Sequence, residues 1–346
     1  MNAIRSRGMG LVELLIWVAL SLLITTVIGT IYVNSKQITR VNDSVSRLQE
    51  NGRFVVYLLD RDFRMAGYRG CNTMGGIVSV SAVNVLNSTA YPYKYDTSVA
   101  AYHGSSGTWS PGLDSSISGL TPSPLTNTDV ITIRTVDSGA IPLTAAMGNA
   151  SDNLTVAPGS NLAAGDILLV ADCGNYAIFN ATGFNSGTGV IAHEVGAGTP
   201  GNSTKNLGQT FTPDSAAAVY RLVTRTYYIA PSVRRPGTNA LWANSVPAYD
   251  GQAQPEEMVE GVDKLVLFFG EDLDGDRAAN RYVTADAVGT WNNVVSVRAQ
   301  LLLATVRDNM ATSPQPYTFN GTTTTPTDKR VRTALSSVIT VRNRVT

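Results

Sequence analysis

From Met9 to Val33 the chain runs for 25 residues with a single charged side chain, Glu13, and this run limits what everything after it can be. At about 1.5 Å per residue a helix over it reaches roughly 37 Å, enough to cross a hydrocarbon core of about 30 Å with some tilt. Arg5 and Arg7 precede the run, and basic residues on that flank predict a cytoplasmic amino terminus. A carboxylate inside such a helix costs on the order of 2.5–3.5 kcal/mol, so Glu13 calls for a cation. The nearest candidate is the free amino group of a neighbouring copy, which requires cleavage just before the apolar run.

Gly8, Met9 and Glu13 resemble the class III signal of type IV pilins. That resemblance implies a prepilin peptidase that cuts after Gly8 and methylates the new terminus, leaving Glu13 at the fifth mature position. Two departures stand out: methionine replaces the commoner phenylalanine at the first mature position, and Gly29 and Thr30 stand where many major pilins carry a helix-kinking proline. Two other readings compete. An ordinary secretory signal, cut near Ala19 and Ser21, would have to hold Glu13 in its apolar core. A plain uncleaved anchor fits the hydropathy but leaves Gly8 and Glu13 without a role.

The 346 residues leave room for one sizeable globular unit or two small ones beyond the membrane segment. Charge is sparse at 15%, with 26 basic residues against 26 acidic ones and no basic stripe, which argues against nucleic acid as a partner. Both cysteines, Cys71 and Cys173, fall on the translocated side of the predicted helix. A disulfide is therefore the first expectation; it would close a loop of about 100 residues, worth roughly 4–5 kcal/mol in the chain-entropy account. Zinc is the weaker reading, since His103 and His193 are the only histidines and a structural site takes about four ligands.

Past the membrane the helix is expected to continue. Ile38, Val41, Val45, Leu48, Gly52, Val55 and Leu59 recur at spacings of three and four, a narrow seam on one face, with Asn42, Asp43, Arg47 and Glu50 off it. Gly67 and Gly70 are reasonable stops. The stretch LQENGRFVVYLLDRDFRMAGYRGC, residues 48–71, resembles the same segment of PilW-type minor pilins, beyond what an amphipathic helix alone requires. Loops and short strands follow to about Thr128, with an aromatic group of Tyr91, Tyr93, Tyr95, Tyr102 and Trp109 that is either a binding surface or a packing cluster.

Strands are expected at Val130 to Val136, Asp166 to Cys173 and Ala218 to Ile229. Later, Leu265, Leu267 and Phe269 share one face, as do Val295, Val297, Ala299, Leu301 and Leu303, and Ile339 and Val341 alternate with Thr340 and Arg342. The loops Gly183 to Pro213 and Asn309 to Asp328 look like surface excursions. MVEGVDKLVLFFGEDLDGDRAANRYV, then Trp291 with NNVVSVRAQLLL, then SVITVRNR resemble the carboxy-terminal half of the PilW-type family, so the resemblance covers 1–71 and 258–346.

No catalytic motif stands out: there is no G-x-S-x-G, H-E-x-x-H or Walker loop, and no enzyme activity is expected. Asp272, Asp274 and Asp276, with Asn280 behind them, place oxygen ligands at alternate positions around Gly275, as calcium loops do. The match is incomplete, because glycine falls at position four and Val283 stands at position twelve, so a tight solvated turn competes with calcium.

The expected fold is α+β and type IV pilin-like: a long amino-terminal helix, its first half membrane-embedded, packed on a mainly antiparallel β-sheet head with long loops. The expected organisation is leader 1–8, transmembrane part 9–33, periplasmic amphipathic part 34–66 and head 67–346. The resemblance implies a structural minor pilin, held in the inner membrane with its head in the periplasm and later in the pilus, near the tip at the cell surface. Its implied partners are other minor pilins of the FimU, PilV, PilX and PilE types, a tip adhesin, the major pilin, the prepilin peptidase and the inner-membrane assembly machinery. The alternatives are a J-like minor pseudopilin of a type II secretion system and, in another class, a membrane-anchored ligand-binding or adhesive protein.

Overall fold

A computed structural model describes residues 10–69, 72–73, 81–136, 139–196, 198–247 and 254–341. Helix α1 spans Leu11–Met65. It ends where the chain turns through Ala66 and Gly67, whose φ of 70° suits glycine, and the Gly67 N–H donates to the Arg134 carbonyl 3.2 Å away.

The strands that position the rest are β1 (Val99–Ser105), β2 (Val130–Val136), β3 (Ile167–Ala171), β4 (Asn175–Asn180), β5 (Ala218–Pro231), β6 (Asn239–Val246), β7 (Glu256–Glu260), β8 (Val262–Glu271), β9 (Arg281–Val283), β10 (Val294–Ala304) and β11 (Arg332–Thr340). They make two main sheets. In the larger, β5 is the spine: its first residues pair with β3, Leu222 to Tyr227 pair with β2 and Thr224 to Pro231 pair with β6, so that Thr224 to Tyr227 lie between the two. All these pairings are antiparallel, but β4 takes a parallel neighbour, Ser81–Asn84. The smaller sheet runs β9-β8-β10-β11, antiparallel throughout.

A two-residue corner ties the sheets together. Asp129, fully buried, donates its N–H to the Leu265 carbonyl (2.8 Å) and accepts from the Leu267 N–H through Oδ2 (2.7 Å). Its Oδ1 accepts from the Gly104 N–H (3.0 Å) and meets His103 Nδ1 at 2.9 Å. That carboxylate hydrogen bond raises the His103 pKa against the opposing effect of burial. One side chain thus satisfies backbone groups of β1 and β8 that no regular ladder joins.

Helix α1 packs into the core that both sheets share. Leu48, Gly52, Val55 and Leu59 of the expected seam are buried there with Leu58 and Phe63, against Leu265, Leu267, Phe269, Leu301 and Leu303. Val41 and Val45 are half-buried, and Ile38 is 61% exposed, because the head does not reach down that far with apolar surface. Asp62 enters the same core, a carboxylate where the seam calls for an apolar residue. Arg225 Nη1 and the Tyr227 hydroxyl both donate to its Oδ2 at 2.7 Å, and Arg61 Nε donates to Oδ1 at 2.9 Å. A buried carboxylate so held is costly to break and specifies one rotation of the helix on the sheet.

Two expectations fail. The stretch 183–213 is no simple surface excursion: Gly183–Asn185 and Val190–Ala192 form strands, and Ile191, Leu207 and Phe211 fill a second core with Leu154, Val170 and Phe179. Likewise the threonine run after Asn320 folds into a hairpin, Tyr317–Phe319 with Thr322–Thr324, whose Phe319 packs on Val266 and Leu302. In both, too few apolar residues stand at regular intervals to give a period.

A Cβ at Gly52 would run into Leu303 Cδ1 and lie 3.2 Å from Leu335 Cδ2. Gly52→Ala displaces only the ends of two leucines and gains about 1 kcal/mol of helix propensity, so stability should change little. Gly52→Leu has no such room and should destabilise the chain by about 1–3 kcal/mol. Thermal melts of the full chain in detergent check that order; equal melting of both variants would refute the close approach.

Candidate functional site

The first turns of α1 hold the described part of the processing and assembly region. Gly8 and Met9 lie outside the described residues. Gly10 caps the helix, and its N–H donates to Glu13 Oε2 at 3.4 Å, a capping-box contact in the first turn. Around Glu13 the helix is apolar on every side, with Leu11, Ile16, Trp17, Leu23, Ile24 and Ile31 each more than half exposed. Among the described residues this is the helix long and apolar enough to cross a membrane, and the first lysine or arginine along its described part is Lys36, more than twenty residues beyond Glu13.

The hydroxyls in this stretch are bonded within the helix. Ser21 Oγ donates to the Val18 carbonyl (2.9 Å), Thr25 to Ser21 (2.7 Å), Thr26 to Leu22 (2.8 Å) and Thr30 to Val27 (2.8 Å). A helix segment that internalises its polar groups needs no water, which is what an apolar medium demands.

Cys173 sits just after β3, beside the Asp172 turn; Cys71 lies outside the described residues. The histidines are far from a shared metal role: His103 is engaged with Asp129, and His193 is fully buried with Nε2 at 2.9 Å from the Asp152 carbonyl. Burial lowers the His193 pKa, keeping the ring neutral.

The aromatic group faces inward. Tyr95 and Tyr102 are buried, and Tyr91, Tyr93 and Trp109 are half-buried against the sheet, with Trp109 Nε1 donating to the Thr128 carbonyl at 3.2 Å. They divide between two packing clusters, Tyr93 with Tyr95 in one and Tyr91, Tyr102 and Trp109 in the other, which favours the packing reading.

The acidic residues do converge. Asp272, Asp274 and Asp276 each offer a carboxylate oxygen within 4.8 Å of the others. Those oxygens also hold the turn: Asp272 accepts from the N–H groups of Gly275 (2.7 Å) and Arg277 (2.9 Å), Asp276 from Ala278 (2.8 Å), and Asp274 from Asn280 Nδ2 (3.0 Å). The Asn280 amide leads the contacts that lower the Asp274 pKa. Val283, at position twelve, is a strand residue opposite Phe269 and offers no side-chain ligand.

Sequence reasoning missed Glu271, the residue that launches this turn. It is buried, accepting from Arg281 Nε (2.9 Å) and from the Gly289 N–H (2.8 Å). Burial opposes its charge, but these donors outweigh it and hold its pKa below the usual carboxylate range. The unfolded carboxyl titrates near about 4.3, so Glu271 stabilises the fold above that pH and the contribution disappears as pH falls through the lower folded value. Glu271→Gln should therefore flatten the fall of Tm with acid relative to the parent chain. A parallel acid limb in both proteins would contradict this role.

Comparison with known proteins adds one match. No curated protein and no solved structure shows significant similarity to the chain. Residues 226–343, from the middle of β5 through the whole β8–β11 sheet, match the family model described as Type IV Pilus-assembly protein W, PilW. Over that segment, which includes the sheet that packs on the long apolar helix, the chain is similar to the PilW-type type IV pilus proteins.

Proposed function

We propose that the chain is a structural minor pilin that joins other minor pilins in a complex priming type IV pilus assembly and supporting a tip adhesin. The observation that carries this reading is the PilW match on the sheet that receives α1, together with a first half of α1 that is apolar on all sides. In this reading the helix spans the inner membrane once, over about 9–33, with the head in the periplasm, until the subunit enters the filament and helix packing replaces lipid. The prepilin peptidase cuts after Gly8 and methylates Met9. Glu13 then pairs with the Met9 amine of a neighbouring subunit, and leaving either charge alone in an apolar bundle costs several kcal/mol, so the pair fixes register. A Cys71–Cys173 disulfide would staple the end of α1 to β3; Cys173 is not a free thiol, which supports it.

Mass spectrometry of the mature chain from membranes should find N-methylated Met9 as the first residue. Glu13→Ala should still insert into the membrane but lose most piliation. A chain that begins at Met1 or after Ser21, or normal piliation in the Glu13 variant, defeats the proposal. A deletion strain that loses protein secretion while keeping pili and twitching would point to a J-like pseudopilin.

Calcium at Asp272, Asp274, Asp276 and Asn280 is a secondary proposal, supported by the approach of the three carboxylates and opposed by the N–H donors they already accept from. Calorimetry of the full chain with calcium decides it: binding heat with a raised Tm establishes the site, and neither effect dismisses it.

A further inference from the structure

The head reaches α1 low on the helix, at a point whose height above the apolar run can be counted. Gln37 Nε2 donates to the Asn309 carbonyl at 3.2 Å, and Ser44 Oγ donates to Met310 Sδ at 3.2 Å. Gln37 comes four residues after Val33, where the apolar run ends, so about 6 Å of helix axis separates them. One headgroup layer is about 5–8 Å deep, half the difference between a bilayer of about 40–45 Å and its hydrocarbon core of about 30 Å. With Val33 at the boundary, the turn after β10 that carries Arg307, Asp308 and Asn309, all exposed, stands at headgroup height as a foot under the head.

Charge is uneven around the helix at this height. At about 100° per residue, Arg40 and Lys36 lie roughly 60° and 100° round from Gln37, on one side. Tyr32 continues that row downward, with Lys36 Nζ 5.7 Å from its ring centroid, an aromatic and a cation as found at membrane interfaces. The opposite side, with Asn34, Ser35, Ile38, Thr39 and Asn42, has no charge. The foot adds Arg307, and Lys329, whose carbonyl accepts from the Met310 and Ala311 N–H groups. Among the described residues none of these four cations has an ion pair. The neighbouring carboxylates are engaged: Asp43 by Arg47 at 3.3 Å, Asp328 by Arg332 at 2.7 Å, and Asp308 by the N–H groups of Asn309 and Lys329 at 2.6 and 2.8 Å.

We infer that this foot docks on the headgroups of an anionic phospholipid leaflet through Lys36, Arg40, Arg307 and Lys329, and so sets the direction in which α1 tilts. The inference rests on the membrane-anchored reading and goes beyond it by naming the side of the head that meets lipid. An apolar run of roughly 37 Å matches a core of about 30 Å when it leans by about 36°. Length alone leaves the direction of that lean open, and interfacial anchors choose it. Leaning toward the foot brings Arg307 and Lys329 down to the phosphates and keeps Lys36 and Arg40 among them, each cation favouring the anionic surface roughly fivefold. Leaning the other way lifts the foot and presses the uncharged side, with its exposed Ile38, into the headgroups.

The test places the full chain in nanodiscs of phosphatidylcholine with or without phosphatidylglycerol, with a nitroxide on the lipid headgroup as quencher. A fluorescent amino acid is incorporated at Thr312, exposed and three residues past Asn309, or at Thr39, exposed on the opposite side of α1 from Gln37. With phosphatidylglycerol, quenching should be stronger at Thr312 than at Thr39, although Thr39 follows the apolar run by only six residues. Omitting phosphatidylglycerol, or raising salt to about 1 M, should weaken quenching at Thr312. Arg307→Glu removes one positive charge and adds one negative, so it should lower the ratio of docked to lifted heads roughly 25-fold, while Arg307→Lys should keep it. If Arg307→Glu disturbs the turn, Lys36→Glu on the exposed helix surface should lower the ratio in the same direction.

Quenching at Thr39 equal to or stronger than at Thr312, or quenching at Thr312 that ignores both phosphatidylglycerol and the charge of residue 307, would overturn the docking. The discs also report the reading beneath it. A chain that does not co-purify with them overturns the membrane anchor and the docking together, whereas a retained chain with an unquenched Thr312 overturns the docking alone.

Discussion

The close seat of α1 on the β8–β10–β11 sheet is the contact on which the rest of the molecule depends. A helix that is apolar all round for its first half gains nothing from water there and must be fixed to something else in its second half. Two devices do this at different heights: Gly52 removes a side chain so that Leu303 and Leu335 can press on the helix backbone, and Asp62 accepts from Arg225 and Tyr227 of β5. The first gives area and proximity. The second gives a direction, because a buried carboxylate leaves few rotations in which its donors are met. Between them the helix touches both sheets, and the Thr128–Asp129 corner makes those sheets move together.

What could be read from the sequence followed from periodicity. Leu48, Gly52, Val55 and Leu59 announce a helix face because they repeat near 3.6, and Leu265, Leu267 and Phe269 announce a strand face because they repeat at two. Residues that act across long separations carried no such signal. Asp62 stands among other charges, Asp60, Arg61 and Arg64, and its donors lie far along the chain at Arg225 and Tyr227. Glu271 was hidden beside three more conspicuous aspartates. The folded core within 183–213 escaped notice because Ile191, Leu207 and Phe211 stand singly among glycine, serine and threonine.

The amino-terminal region was legible for a different reason. Its hydropathy is set by residue type alone, and a single carboxylate in an apolar run is visible without any knowledge of the fold. The terminal place of β11 in its sheet was not visible in this way. Its sequence gives a strand, but whether a strand is central or terminal depends on which others lie beside it, and that is decided by the whole topology.

The length of β5 has a mechanical consequence. Part of any pull on the helix passes through Asp62 to Arg225 and Tyr227, which stand in the part of β5 held between β2 and β6. A strand clasped on both flanks spreads a load over the backbone bonds on either side of it, whereas an edge strand is held on one side alone. By anchoring to a strand bonded on both flanks, the helix joins the fold at a place where traction is shared among several strands.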